Sequence, residues 1–108
     1  MTFDAYDCTL SLLRTLAPLI AKLATHDPDL TKQLRRAATS ILLNISEGNR
    51  RRGKDRRHLF TISLGSADEV GAALDAAAAL GYLDAAATAP ALALVDRIRA
   101  MTYRLATK

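Results

Sequence analysis

The residues best suited to chemistry crowd into one short run. Arg50, Arg51, Arg52, Lys54, Arg56 and Arg57 fall within eight positions, opposed there only by Asp55. Cations this close repel one another, and an anionic partner relieves the repulsion. A polyanion such as RNA or DNA suits the cluster, because each phosphate accepts charge-assisted hydrogen bonds from Arg or Lys whatever the base. Arg35 and Arg36, with Lys32 nearby, lie upstream and are expected to extend the surface. Aromatic residues are scarce around the run, and Phe60 belongs to an apolar stripe. Base stacking therefore lacks its usual tools, and recognition of backbone and shape is expected, with weak sequence preference.

A second constellation is polar and uncharged in part. Ser40, Asn44 and Glu47 are spaced four and three apart, so they share one helix face. Ser66 and Glu69 share another. Both sets lie beside hydrophobic stripes. They can serve as an interhelical hydrogen-bond network that satisfies buried polar groups, or as a polar pocket for a ligand or a neighbouring subunit. Arg35 or Arg36 could pair with Glu69 across a helix interface.

Catalytic chemistry finds little support. His26 and His58 have no carboxylate or cysteine at a triad or metal-ligand spacing. There is no Glu-x-x-His pair for a di-iron bundle and no glycine-rich phosphate loop. Cys8 is the single cysteine, lacks a basic neighbour in sequence, and reads as a small interface hydrophobe. The chain is expected to be non-enzymatic, with no cofactor and no metal.

The elements that must position these groups are helical. Ala and Leu supply 21 and 18 of the 108 residues, while Val and Ile together supply 7. That balance favours helix over strand. Half the residues are hydrophobic, enough to build the core of one domain spanning 1–108. The net charge is +4 and the isoelectric point about 9.6. A lone cysteine forms no internal disulfide, no basic segment followed by an apolar run opens the chain, and no apolar run is long enough to span a membrane. A cytoplasmic setting without membrane contact is expected.

Hydrophobic periodicity predicts four helices in an antiparallel up-down-up-down four-helix bundle, an all-α fold. The first runs from Phe3 to Ala24, with its stripe at Phe3, Tyr6, Leu10, Leu13, Ala17, Ile20 and Ala24 and a second row at Leu12, Leu16, Leu19 and Leu23. Pro18 should bend it or cost it a hydrogen bond. The second runs from Pro28 to Glu47, capped by Asp27 and ended by a left-handed Gly48. A basic loop, Asn49 to Gly53, follows. The third helix runs from Lys54 to Leu80 and stops at Gly81. The fourth starts near Thr88, a candidate cap, after a connection from Tyr82 to Ala87.

Two blocks carry a resemblance. One is Gln33 to Arg50, with the pattern Arg-Arg-Ala-x-x-Ser-Ile-x-x-Asn-Ile-x-Glu-Gly; the other is Phe60 to Glu69, with Leu-Gly-Ser-x-x-Glu, followed by Leu80-Gly81-Tyr82-Leu83. In order and spacing they resemble the small four-helix-bundle proteins encoded in intervening sequences of bacterial 23S ribosomal RNA genes, the S23 family. The accessory proteins of diversity-generating retroelements are more distant relatives. Leu42 and Leu43 depart from the family pattern, which often has a proline and a small residue there, and Ser46 replaces the usual alanine. These departures are expected to straighten the helix. The resemblance implies a homopentamer around a central channel. Through the distant relatives it also implies binding of nucleic acid and of a reverse transcriptase by a basic surface.

Three function classes stay open at this point. One is a homo-oligomer that binds RNA or DNA backbone through the basic run. Another is an oligomeric scaffold whose basic patch meets an acidic protein. The third, with the least support, is a small-molecule or anion site in the channel. Independently of the resemblance, helices one and three carry more apolar rows than a monomeric bundle needs, so the chain is expected to associate with itself.

Overall fold

The structure is a computed structural model, and it describes residues 3–108. Four helices follow in order: α1 (Asp4–Leu23), α2 (Pro28–Asn49), α3 (Gly53–Ala79) and α4 (Ala85–Ala106). Every connection is short, so each helix runs antiparallel to the one before it. α3 packs against α2 and α4, and α1 closes the ring by packing against the same two. The result is the expected all-α four-helix bundle, 42 Å long and 23 by 19 Å across.

The core runs along the centre of this square. α1 contributes Leu12, Leu16 and Leu23, all fully buried, with Ala5 and Cys8 before them in sequence. The two rows predicted on α1 therefore exchange roles. Leu10, Leu13 and Ile20 are only partly buried, and Ala17 and Ala24 are exposed. The Leu12 row lies on the face of α1 that packs against α2 and α4. Pro18 sits on the exposed side of α1, and the helix continues through it.

The start of α2 follows the sequence closely. Asp27 Oδ1 accepts from the Leu30 N–H at 3.0 Å, with Pro28 in the first turn. Its end does not. α2 continues through Gly48 to Asn49, and Gly48 is helical rather than left-handed. The physical reason is steric. A Cβ on Gly48 would lie 2.9 Å from Phe60 Cε1, so glycine here makes room for the buried Phe60 ring. Among the described residues the positive φ values occur at Gly53 (61°) and Gly81 (80°), at two of the three places where the chain reverses direction.

α4 begins three residues earlier than its predicted cap. Thr88 is buried, and its hydroxyl donates to the Ala85 carbonyl at 3.0 Å instead of capping. Asp84 stands at the N-cap, and Pro90 lies inside the helix, on its exposed side. Among the described residues no helix is long and apolar enough to cross a membrane.

The glycines give a paired test. Gly48→Ala should lower stability by about 1–2 kcal/mol, because the fully buried Phe60 ring has to shift. Gly65→Ala meets nothing within 4 Å and should raise stability by about 0.5–1 kcal/mol through helix propensity. Thermal or urea unfolding measures both.

Candidate nucleic-acid interface

The basic run lies where α2 turns into α3. Arg50 and Arg51 close the end of α2, their N–H groups donating to the Glu47 and Gly48 carbonyls at 3.1 Å each. Arg52 is extended, and left-handed Gly53 then opens α3. The loop is thus only Arg50 to Arg52, shorter than predicted. Lys54, Arg56 and Arg57 belong to the first turns of α3. Arg50, Arg51, Arg52, Lys54 and Arg57 are all exposed.

Arg56 is different. Its guanidinium stands 4.8 Å from the Phe60 ring centroid, and its Nη1 donates to the Gly48 carbonyl at 3.3 Å. One side chain therefore fastens the first turn of α3 to the last turn of α2. Glu47 supplies a neutralising contact that the sequence reading overlooked. Its Oε2 lies 3.6 Å from Arg50 Nη2 and 3.4 Å from Arg51 Nη2. Both are the three- and four-residue spacings a helix brings together. Such exposed pairs are weak, about 0–1 kcal/mol, and leave the cations open to a stronger anion.

Arg35 and Arg36 do not join this cluster. They are exposed on the middle of α2, at least 13 residues before Asn49, or roughly 20 Å along the helix. Among the described residues neither makes an ion pair, with Glu69 or otherwise. The antiparallel order instead brings the last turn of α4 to the same end as the basic loop. Arg104 and Lys108 lie there, lining a groove with Phe3 and Asp4. Sequence distance from the run hid them; the up-down topology, once assumed, places them.

The polar constellation divides. Ser40 Oγ and Ser66 Oγ are 2.8 Å apart across the α2–α3 seam. Asn44 Nδ2 donates back to the Ser40 carbonyl at 2.9 Å and to Ser40 Oγ at 3.1 Å. Ser63, not singled out beforehand, donates to the Ile41 carbonyl at 3.2 Å. These contacts set the register of the two helices. Glu47 leaves the set for the arginines, and Glu69 is exposed, lining a separate surface groove with Leu30 and Gln33.

The comparisons with known proteins bear on this arrangement. The profile of the 23S rRNA-intervening sequence protein family matches residues 3–104. The chain belongs to this family. Its fold is similar to a crystal structure from Bacteroides thetaiotaomicron VPI-5482, described as a protein of unknown function from the S23 ribosomal protein family. The TM-score is 0.86 at 20% identity, over 96% of this chain and 99% of that one. No curated protein matches.

In this member of the 23S rRNA-intervening sequence family, α2 is continuous through Leu42 and Leu43. Leu43 is 65% exposed, an unusual place for a large apolar side chain. Cys8 is buried. Burial pushes its thiol up, and Arg97 pulls it back by a smaller amount, so it is poorly suited to act as a thiolate.

The two neighbouring arginines should behave differently on truncation. Arg56→Ala should cost about 1–2 kcal/mol through the lost cation–π and carbonyl contacts. Arg57→Ala, fully on the surface, should stay within about 0.5 kcal/mol of the parent. Denaturant titration separates them.

Proposed function

We propose that the protein is a non-enzymatic, self-associating helical bundle that binds RNA or DNA through the phosphate backbone. The observation that carries this reading is the exposed set Arg50, Arg51, Arg52, Lys54 and Arg57, gathered at one end of the bundle on a three-residue turn. Glu47 and Asp55 offset it only in part. A short turn with five exposed cations, two of them only loosely paired with Glu47, offers a preformed counter-surface for phosphates. Arg104 and Lys108 lie at the same end of the bundle.

Backbone reading fits the surroundings of the patch. Phe60 is fully buried beneath Arg56 and offers no face to a base. The non-enzymatic reading rests on the state of the candidate side chains. His26 stacks on Tyr82 with ring centroids 5.3 Å apart, and Cys8 is buried with its thiol protonated at neutral pH. The family resemblance supports a ring of five copies, which would multiply a weak patch by avidity. A reducing cytoplasm suits the single thiol.

Replacing Arg50, Arg51, Arg52, Lys54 and Arg57 together by Ser should leave helicity unchanged and weaken binding to RNA and DNA of any sequence. The parent should lose affinity steeply with salt, with about 0.7–0.9 logarithmic units per decade of salt for each phosphate contact, and the variant should show a shallower slope. Fluorescence anisotropy at two salt concentrations measures this. Parent protein that binds neither RNA nor DNA at low salt contradicts the proposal and favours an acidic protein as the partner of the patch.

A further inference from the structure

The groove between the start of α1 and the end of α4 offers what the basic turn lacks, an aromatic and apolar floor. It holds about 310 Å³ and is lined by Phe3, Met101 and Leu105, with the cations Arg104 and Lys108 and one carboxylate, Asp4. Phe3, Met101 and Leu105 are half-buried: each packs against the core and still lines the groove. The backbone under Phe3 is held in place. It is extended at the N-cap of α1, and its carbonyl accepts from the Asp7 N–H at 3.0 Å. Among the described residues Asp4, Arg104 and Lys108 take no part in an ion pair.

Size and charge narrow the occupant. The volume is near the lower bound for small-molecule sites, roughly 300–1,000 Å³. It suits one planar group better than a helix about 10–12 Å across. An apolar floor beside two cations calls for a flat, largely apolar body that carries an anion. A nucleotide is such a body, and every base has a face to lay on an aromatic ring. Charge also sets its direction. Farther along the same groove Arg97 stands with Asp4 and Asp7, so cation and carboxylate offset each other there. Net positive charge is left at the mouth beside Arg104 and Lys108, at the end of the bundle that carries the Arg50–Arg57 turn.

From this we infer that the α1–α4 groove takes one unpaired nucleotide of a strand whose neighbouring phosphates lie on the basic turn. The base rests against Phe3, Met101 and Leu105, and its phosphate meets Arg104 and Lys108. Asp4 repels the phosphate and accepts from an N–H group on the base edge. Every base carries such a donor, so the groove adds affinity with little sequence preference. The aromatic face that is missing around the basic run is thus supplied by Phe3, far away in sequence. The inference rests on the nucleic-acid reading in the proposed function, and it narrows the substrate to single-stranded or looped RNA or DNA. In a duplex the base faces are already stacked, and the groove contributes its two cations alone.

Three DNA probes of about ten nucleotides test it by fluorescence anisotropy at low salt: a single strand, the same sugar–phosphate strand without bases, and the duplex. The parent should bind the strand with bases at least about fivefold more tightly than the abasic one. Phe3→Leu keeps an apolar side chain on the core. It should match the parent in circular dichroism, lose most of this preference and bind the duplex as before. Phe3→Trp should keep the preference. The chain has no other tryptophan, so the emission of this variant reports on the groove. The strand with bases should quench it, and the abasic strand and the duplex should not. Equal affinity of the parent for the strands with and without bases overturns the base site and leaves phosphate binding by the turn standing. A preference undiminished in Phe3→Leu, or a Phe3→Trp emission that the strand with bases leaves unchanged, does the same. Parent protein that binds none of the three probes overturns both readings, and binding of poly-glutamate in that case assigns the cations to an acidic protein.

Discussion

The close approach of α2 to α3 is the constraint on which the rest of the molecule depends. It is made possible by Gly48, whose missing side chain is replaced by the Phe60 ring, and further up the seam by small serines, Ser40 paired with Ser66 and Ser63 donating to the Ile41 carbonyl. Small residues at a helix contact let backbones draw together, and the hydroxyls satisfy one another or a carbonyl there. The consequence at the lower end is a turn of three residues. A looser seam would need a longer connection, and the arginines would then ride on a mobile loop instead of the ends of two fixed helices.

The same seam sorts basic residues that look equivalent in sequence. Arg56 is drawn onto Phe60 and the Gly48 carbonyl and becomes part of the junction. Arg50 and Arg51 are tethered lightly by Glu47. Arg52, Lys54 and Arg57 face water. Arg35 and Arg36 are carried roughly 20 Å away by the rise of α2, toward the level of the carboxylates on α3 and α4. The basic residues of α2 and of the α2–α3 junction thus fall into two groups with different neighbours, one at an end of the bundle and one along its side.

Much of this was legible beforehand, for physical reasons that differ by residue. Apolar periodicity and the Asp27–Pro28 start specify helices strongly, because they act within one or two turns. Gly48 was misread because a glycine near a helix end has two uses, a left-handed turn or a close contact, and only the position of Phe60 decides between them. Thr88 was misread because a hydroxyl at a helix start can cap the next turn or bond back to the preceding one. The two rows of α1 could not be ranked while its neighbours were unplaced. Arg104 and Lys108 needed the topology, and the division of Arg35 and Arg36 from the loop needed the length of α2.

Backbone amide mapping tests the central claim most directly. A short RNA duplex titrated at low salt into isotopically labelled protein should perturb amides of residues 50–57 and, more weakly, of the last turn of α4, while the middle of α2 and the middle of α4 around Asp96 stay unchanged. Perturbations centred on Arg35, Arg36 or Asp96, or none at all at low salt, would contradict the account.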